Sequence, residues 1–189
     1  YDYFLLDNSS WLHGITAMPM VILPQAEIGH LEAYVRFQWR DYEQDKFRIL
    51  NGYNTAGGVR QVLGLGAPGR VVWASFEVDK QDSTAGNGEL YEYRGLQGEL
   101  SLRWPLPWQS AAQGGYRYRR EDYNSASSVF VPVGSSRNDD EHRLGLSLRK
   151  DLNDMFSLVA AWVGTWNESN KQDFDYDRHI TSLGVELRY

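Results

Sequence analysis

The 189 residues contain no cysteine, so the chain has neither a disulfide framework nor a thiolate metal site. That suits a protein crossing an oxidising compartment. Long apolar runs are also missing. The longest, residues 17–23, is interrupted by Pro19, whereas a membrane-spanning helix needs about 20 apolar residues. Insertion by helix is therefore excluded. Insertion by strands is not, because half of a barrel strand is polar, and a mean hydropathy of -0.53 is compatible with it. Histidine is scarce: His13, His30, His142 and His179 show no ligand spacing on one element. Neither a metal centre nor a cofactor is expected. A net charge of -6 disfavours nucleic-acid binding.

Aromatic residues are plentiful, with 7 Trp, 12 Tyr and 7 Phe, as the interfacial girdles of a barrel require. The dominant signal is alternation with period two. At the carboxy end Leu183, Val185, Leu187 and Tyr189 alternate with Ser182, Gly184, Glu186 and Arg188. Leu144, Leu146 and Leu148 alternate with Arg143, Gly145, Ser147 and Arg149, and Leu31, Val35, Phe37 and Trp39 with Glu32, Arg36, Gln38 and Arg40. The same rule predicts strands over residues 1–6, 11–23, 30–40, 57–66, 70–79, 93–104, 111–120, 142–150, 155–167 and 176–189. Short turns at 67–69, 105–108 and 151–154 alternate with longer connections at 41–53, 80–92, 121–141 and 167–175. No helix signature, low-complexity tract or internal domain boundary interrupts the series.

This pattern predicts an all-β fold, an antiparallel transmembrane β-barrel with about ten strands visible. Soluble β-sandwiches and lipocalin-like barrels alternate too, but their strands are typically nearer 5–6 residues. Residues 1–189 are expected to form one barrel domain in a bacterial outer membrane, against lipid and lipopolysaccharide. Because the chain starts within a predicted strand, it is expected to be the C-terminal part of a longer one.

Two charged populations follow from the alternation. The lumen-lining set is Glu32, Arg36, Arg40, Glu77, Glu99, Arg103, Arg117, Arg119, Arg143, Arg149, Glu186 and Arg188. In a narrow barrel these side chains interlock; in a wide one they line a hydrated path and set its selectivity. The second population is an acidic outer rim: Asp41, Glu43, Asp45, Glu121, Asp122, Asp139, Asp140, Asp173 and Asp175. Such a rim is either simply solvated or steers a cationic passenger. Val129, Phe130, Val131 and Val133 place an apolar patch in the middle of connection 121–141, which makes it the candidate gate loop.

Two trios, Asp175, Asp177 and His179 and Asp139, Asp140 and His142, raise the possibility of water activation of the omptin protease type. Asp177 and His179 share a face with Leu183, which points them outward, and no other omptin motif is present. An enzyme is not expected.

The run Arg137-Asn138-Asp139-Asp140-Glu141-His142-Arg143-Leu144-Gly145-Leu146 is followed by Leu152-Asn153-Asp154-Met155-Phe156-Ser157-Leu158, Asn167-Glu168-Ser169-Asn170 and Phe174-Asp175-Tyr176-Asp177-Arg178-His179. Together they resemble the last four strands of barrels that follow periplasmic tetratricopeptide-repeat scaffolds. Pel-type exopolysaccharide exporters are the nearer likeness and surface-lipoprotein assembly modifiers the weaker. The resemblance implies a barrel of about sixteen strands, within the outer-membrane range, with further strands preceding residue 1. It also implies passive conduction of a secreted, partly deacetylated cationic polysaccharide. A periplasmic repeat scaffold and a lipoprotein ring would be the partners. The lipoprotein-assembly likeness implies instead a translocation barrel or a closed structural one.

Overall fold

The computed structural model describes residues 2–6, 9–25, 28–42, 50–84, 91–126 and 135–187, with side chains placed for 14–25, 28–42, 50–84, 91–124 and 136–187. Apart from short 3-10 turns such as Gln172–Phe174, the regular structure is all strand: β1 (Asp2–Leu6), β2 (Ser9–Ala17), β3 (Met20–Gln25), β4 (Gly29–Tyr42), β5 (Gly52–Gly64), β6 (Val71–Ser83), β7 (Tyr93–Leu106), β8 (Ser110–Ala126), β9 (Ser135–Asp151), β10 (Phe156–Ser169) and β11 (Tyr176–Leu187). None of the described helices is long and apolar enough to cross a membrane.

All strands belong to one antiparallel sheet in the order β1-β2-β4-β5-β6-β7-β8-β9-β10-β11, with β3 also beside β4. β2 pairs with the end of β4 near Tyr42 and β3 with the end near Gly29, so the two share one edge. They form a single strand position broken at Pro19, which has no N–H to give to the ladder. Its carbonyl still accepts from Val35 N at 3.2 Å. The eleven segments therefore fill the ten antiparallel positions expected from the alternation. Among the described residues no register joins β1 to β11, and the sheet is not a closed ring.

Tight turns cluster at one end of the sheet. Ala67 O accepts from Arg70 N at 3.1 Å around Pro68 and Gly69, whose φ of 77° supplies the left-handed corner. Asn153 Oδ1 accepts from Met155 N and Phe156 N at 2.9 and 2.8 Å, turning β9 into β10. The turn after β7 is carried by Trp108 and Gln109, both at positive φ. Pro105 and Leu106, expected in this turn, still belong to β7. Longer connections lie at the other end.

Burial is inverted relative to a water-soluble domain. Among the described residues Ala56 is the only buried apolar side chain. The buried polar ones are Glu32, Asn54, Glu77, Asp79, Gln81, Ser101, Asp139, Ser157, Thr165 and Asn167, and the registers put all ten on one face. The other face exposes Val35, Phe37, Phe76, Val78, Leu100, Leu146, Leu148, Leu183 and Val185. The sheet curls towards the polar face: one cavity of about 390 Å³ is lined from Met20 on β3 through Glu32, Arg60, Glu77 and Glu99 to Arg119 on β8. A flat sheet would hold those outer strands about 24 Å apart.

The apolar face ends sharply. Going towards the long connections, Val78 gives way to Lys80, Leu96 to Arg94, Tyr118 to Arg120, His142 to Asp140 and Trp166 to Glu168. Tyr53, Tyr116, Tyr118, Trp162 and Trp166 lie along this border. On β7 the apolar positions run from Leu96 to Leu106. At about 3.4 Å per residue and a tilt of roughly 40°, that stretch spans about 26 Å.

Candidate functional site

The charged face is the candidate site. Eleven of the twelve expected lumen-lining residues fall on it: Glu32, Arg36 and Arg40 from β4, Glu77 from β6, Glu99 and Arg103 from β7, Arg117 and Arg119 from β8, Arg143 and Arg149 from β9, and Glu186 from β11. Arg188 lies outside the described residues. Period two alone dictates this, since a strand that shows an apolar face on one side must show these residues on the other.

Most of these charges interlock. Arg36 Nη2 donates to Glu77 Oε1 at 3.0 Å, and the Tyr34 hydroxyl donates to Glu77 Oε2 at 2.6 Å. Arg60 Nε donates to Glu32 Oε2 at 2.6 Å, with His30 on the other carboxylate oxygen at 2.9 Å. Arg119 reaches Asp79 at 3.0 Å and Glu121 at 2.6 Å. Arg117 pairs with Glu141 at 2.5 Å, and Tyr176 donates to the same carboxylate at 2.8 Å. Near the turn end Arg149 joins Asp151 at 2.9 Å and Glu186 at 2.6 Å. Several of these bonds cross an intervening strand, and glycines make room for them. A Cβ at Gly58 would sit 2.5 Å from the Tyr34 hydroxyl oxygen, and one at Gly95 would sit 2.1 Å from Asp79 Oδ1.

Arg103 and Arg143 stand apart: among the described residues neither makes a hydrogen bond or ion pair. Arg143 lies directly opposite Arg117, and Arg117 directly opposite Glu99. Glu99 is held by Ser101 Oγ at 2.9 Å and Trp73 Nε1 at 3.3 Å. A cavity of about 310 Å³ opens between these groups, with Gly115 and Gly145 facing each other in its floor.

The acidic rim differs from expectation in its backbone. Glu121 and Asp122 lie within β8, and Asp139, Asp140 and Glu141 within β9, so connection 121–141 shrinks to residues 127–134. Val129, Phe130, Val131 and Val133, the candidate gate, lie outside the described residues, as do Glu43 and Asp45. Asp41 is in β4, Asp173 in the 3-10 turn and Asp175 at its C-cap. Above the apolar band both faces of the strands are polar. Glu121 and Asp139 are on the charged face; Asp41, Asp122 and Asp140 are on the other.

The rim acids are also largely committed. Asp122 pairs with Arg120 at 3.1 Å, Asp140 accepts from the Tyr118 hydroxyl at 2.5 Å, and Asp41 accepts from Asn51 Nδ2 at 2.6 Å. Asp139 accepts from Ser169 Oγ at 2.7 Å and pairs with Arg137 at 3.1 Å. The Arg137 guanidinium lies 3.5 Å from the Tyr123 ring centroid and 4.0 Å from that of Phe174. Burial, seconded by the nearby Glu121 charge, raises Asp139 above the usual carboxylate range despite the opposing effects of Ser169 and Arg137. Burial and then the Glu121 charge likewise push the Tyr123 hydroxyl up.

Sequence reasoning missed Arg60, Asp79 and Arg137 as members of the charged network. Arg137, Asp139, Glu141 and Arg143 do alternate, which was the readable sign that β9 starts near residue 135. The two acid–histidine trios are each split. Asp139 lies on the charged face but Asp140 and His142 on the other, where His142 Nδ1 bonds Tyr116 at 2.6 Å. His179 lies on the apolar face, stacked 5.7 Å from Trp162, and Asp175 caps the 3-10 turn. No group of acids and histidines suited to a metal occurs among the described residues. No protein-family model matches the chain, and comparison with curated proteins finds no relative.

Proposed function

We propose that this sheet is the visible part of an outer-membrane β-barrel whose charged face lines a hydrated path for a secreted polymer. The observation that carries the reading is the inverted burial: buried Glu32, Glu77 and Asp79 on one face, exposed Leu100, Leu183 and Phe76 on the other. An apolar surface of this extent in water is strongly unfavourable at about 25 cal/mol per Å², and lipid removes the penalty. The apolar stretch on β7 matches the roughly 25 Å band of such barrels, and the aromatic border matches their girdles. Among the described residues β1 and β11 are unpaired with each other, and in this reading further strands close the sheet, as in the larger barrel implied by the sequence resemblance.

Conduction is passive and needs no chemistry. The interlocked pairs Arg36–Glu77 and Arg119–Asp79 hold the wall rigid. The rim favours a cationic polysaccharide through Glu121, Asp139 and Asp175, moderated by Arg119 and Arg137. Residues 127–134 act as the gate, and a periplasmic repeat scaffold with a lipoprotein ring delivers the polymer. The test is planar-bilayer conductance of the full-length protein, intact and with residues 127–134 replaced by a Gly/Ser linker. A small current that rises on replacement supports the gated path. Near-zero current in both forms would favour a closed structural or lipoprotein-assembly barrel instead.

A further inference from the structure

Arg117 and Arg143 face each other across β8 and β9, and like charges in directly opposed positions are destabilising unless neutralised. Glu141 neutralises Arg117, but Arg143 has no acidic partner among the described residues. Arg117 is further committed by burial, its Nε being closed to solvent, so Arg143 is the cation of this pair that remains open. Glu99, opposite Arg117, is turned away to Ser101 and Trp73. Between these groups lies the cavity of about 310 Å³, open because Gly145 puts no side chain into it, while Ser101 Oγ fills the place over Gly115. That volume is at the small end of ligand sites, the size of one sugar unit rather than an oligomer.

We propose that this cavity is a subsite for a hydroxylated monocarboxylate, a single sugar-acid unit. Its carboxylate lies against the Arg143 guanidinium, and its hydroxyl groups meet Glu99, Gln113 and Ser147. The charges select a monoanion: with Arg117 paired to Glu141, Arg143 offers the one uncommitted positive charge, while a phosphate dianion would oppose Glu99 more strongly. The proposal rests on the reading of this face as a hydrated lumen. It deepens that reading, because a polymer bearing both amino and carboxylate groups satisfies the acidic rim and this subsite in turn.

The test is isothermal titration of the full-length protein in detergent micelles with glucuronate, glucose, glucosamine and glucose 6-phosphate. Glucuronate alone is expected to bind measurably. Arg143→Gln is expected to weaken it roughly ten- to a hundredfold, the loss of one charge-assisted contact. Gly145→Leu, whose side chain enters open space, is expected to abolish binding by filling the cavity with both arginines in place. Arg94→Gln, on the opposite face, leaves binding unchanged. Equal binding of glucose and glucuronate, no binding of either, tighter binding of glucose 6-phosphate, or an unaltered Arg143→Gln variant would each overturn the assignment. Titration needs no bilayer, so its failure leaves the conduction reading standing, and absence of conductance leaves this subsite standing.

Discussion

Arg119 on β8 donates to Asp79 on β6 at 3.0 Å, passing over Gly95 of the intervening β7. The Asp79 side chain is 1 % exposed, so the pair is buried on the charged face. A third residue, Tyr93, receives the same Nη2 on its hydroxyl at 3.1 Å, and Asn54 Nδ2 donates to the same Asp79 oxygen at 3.0 Å. Four strands are thus locked through a gap where one side chain is missing.

Gly95→Val is the sharpest perturbation of that lock. Its Cβ would lie 2.1 Å from Asp79 Oδ1, so the acid must swing away and leave Glu121 as the one acidic partner of Arg119 among the described residues. Breaking a buried ion pair costs about 3–5 kcal/mol, and a loss near the lower end is expected because Glu121 remains. Unfolding in guanidinium measures it. A midpoint equal to the parent's would show that the crossing pair contributes nothing.

Substitutions on the apolar face should depend on depth. Leu100, in the middle of the band and 57 % exposed, replaced by Arg should cost roughly 2–4 kcal/mol in phospholipid vesicles. Glu168→Arg, just above Trp166 and opposite Asp140, should cost at most about 1 kcal/mol. Equal costs at the two positions would place both in the same solvent and remove the argument for a lipid band.

Asp139 supplies a pH dependence. Its carboxyl is raised in the folded protein, chiefly by burial, so its ionisation opposes folding. The contribution of the protonated form is present at low pH and is lost as pH rises through the raised value. Asp139→Asn removes that ionisation. Relative to the parent, the variant should therefore gain stability between pH 4 and pH 7, read from unfolding midpoints. A variant that loses relative stability over the same range would show that the Arg137 pairing outweighs burial.

The sequence made the strands and their faces legible where one face was apolar, because period two is a one-dimensional signal. It failed above the band. Residues 121–126 and 135–141 are polar on both faces, so the alternation of hydropathy vanishes although the ladder between β8 and β9 continues. Only the weaker alternation of charge from Arg137 to Arg143 persisted. β5 was blurred for a related reason: Gly58 is small because Tyr34 lies across it, a fact belonging to a neighbouring strand. The charged residues were readable, but not their partners. Arg119 meets Asp79 and Tyr34 meets Glu77 across intervening strands, which depends on register and curl. The unpaired state of Arg143 was likewise invisible, since it follows from where Glu141 and Glu99 turn.

The central claim is that one face of this sheet meets lipid and the other water. Residues 1–189 contain no cysteine, which allows a direct test by single-cysteine scanning of residues 96–102 on β7 in vesicles, with any cysteine elsewhere in the full-length protein first replaced by serine. Each variant is labelled with a membrane-impermeant thiol reagent and, separately, with a fluorophore read against lipid-borne quenchers. The expected result alternates: positions 96, 98, 100 and 102 are quenched by lipid and shielded from the water-borne reagent, while 97, 99 and 101 show the reverse. Aqueous labelling of all seven positions, with no quenching at 100, would contradict the account.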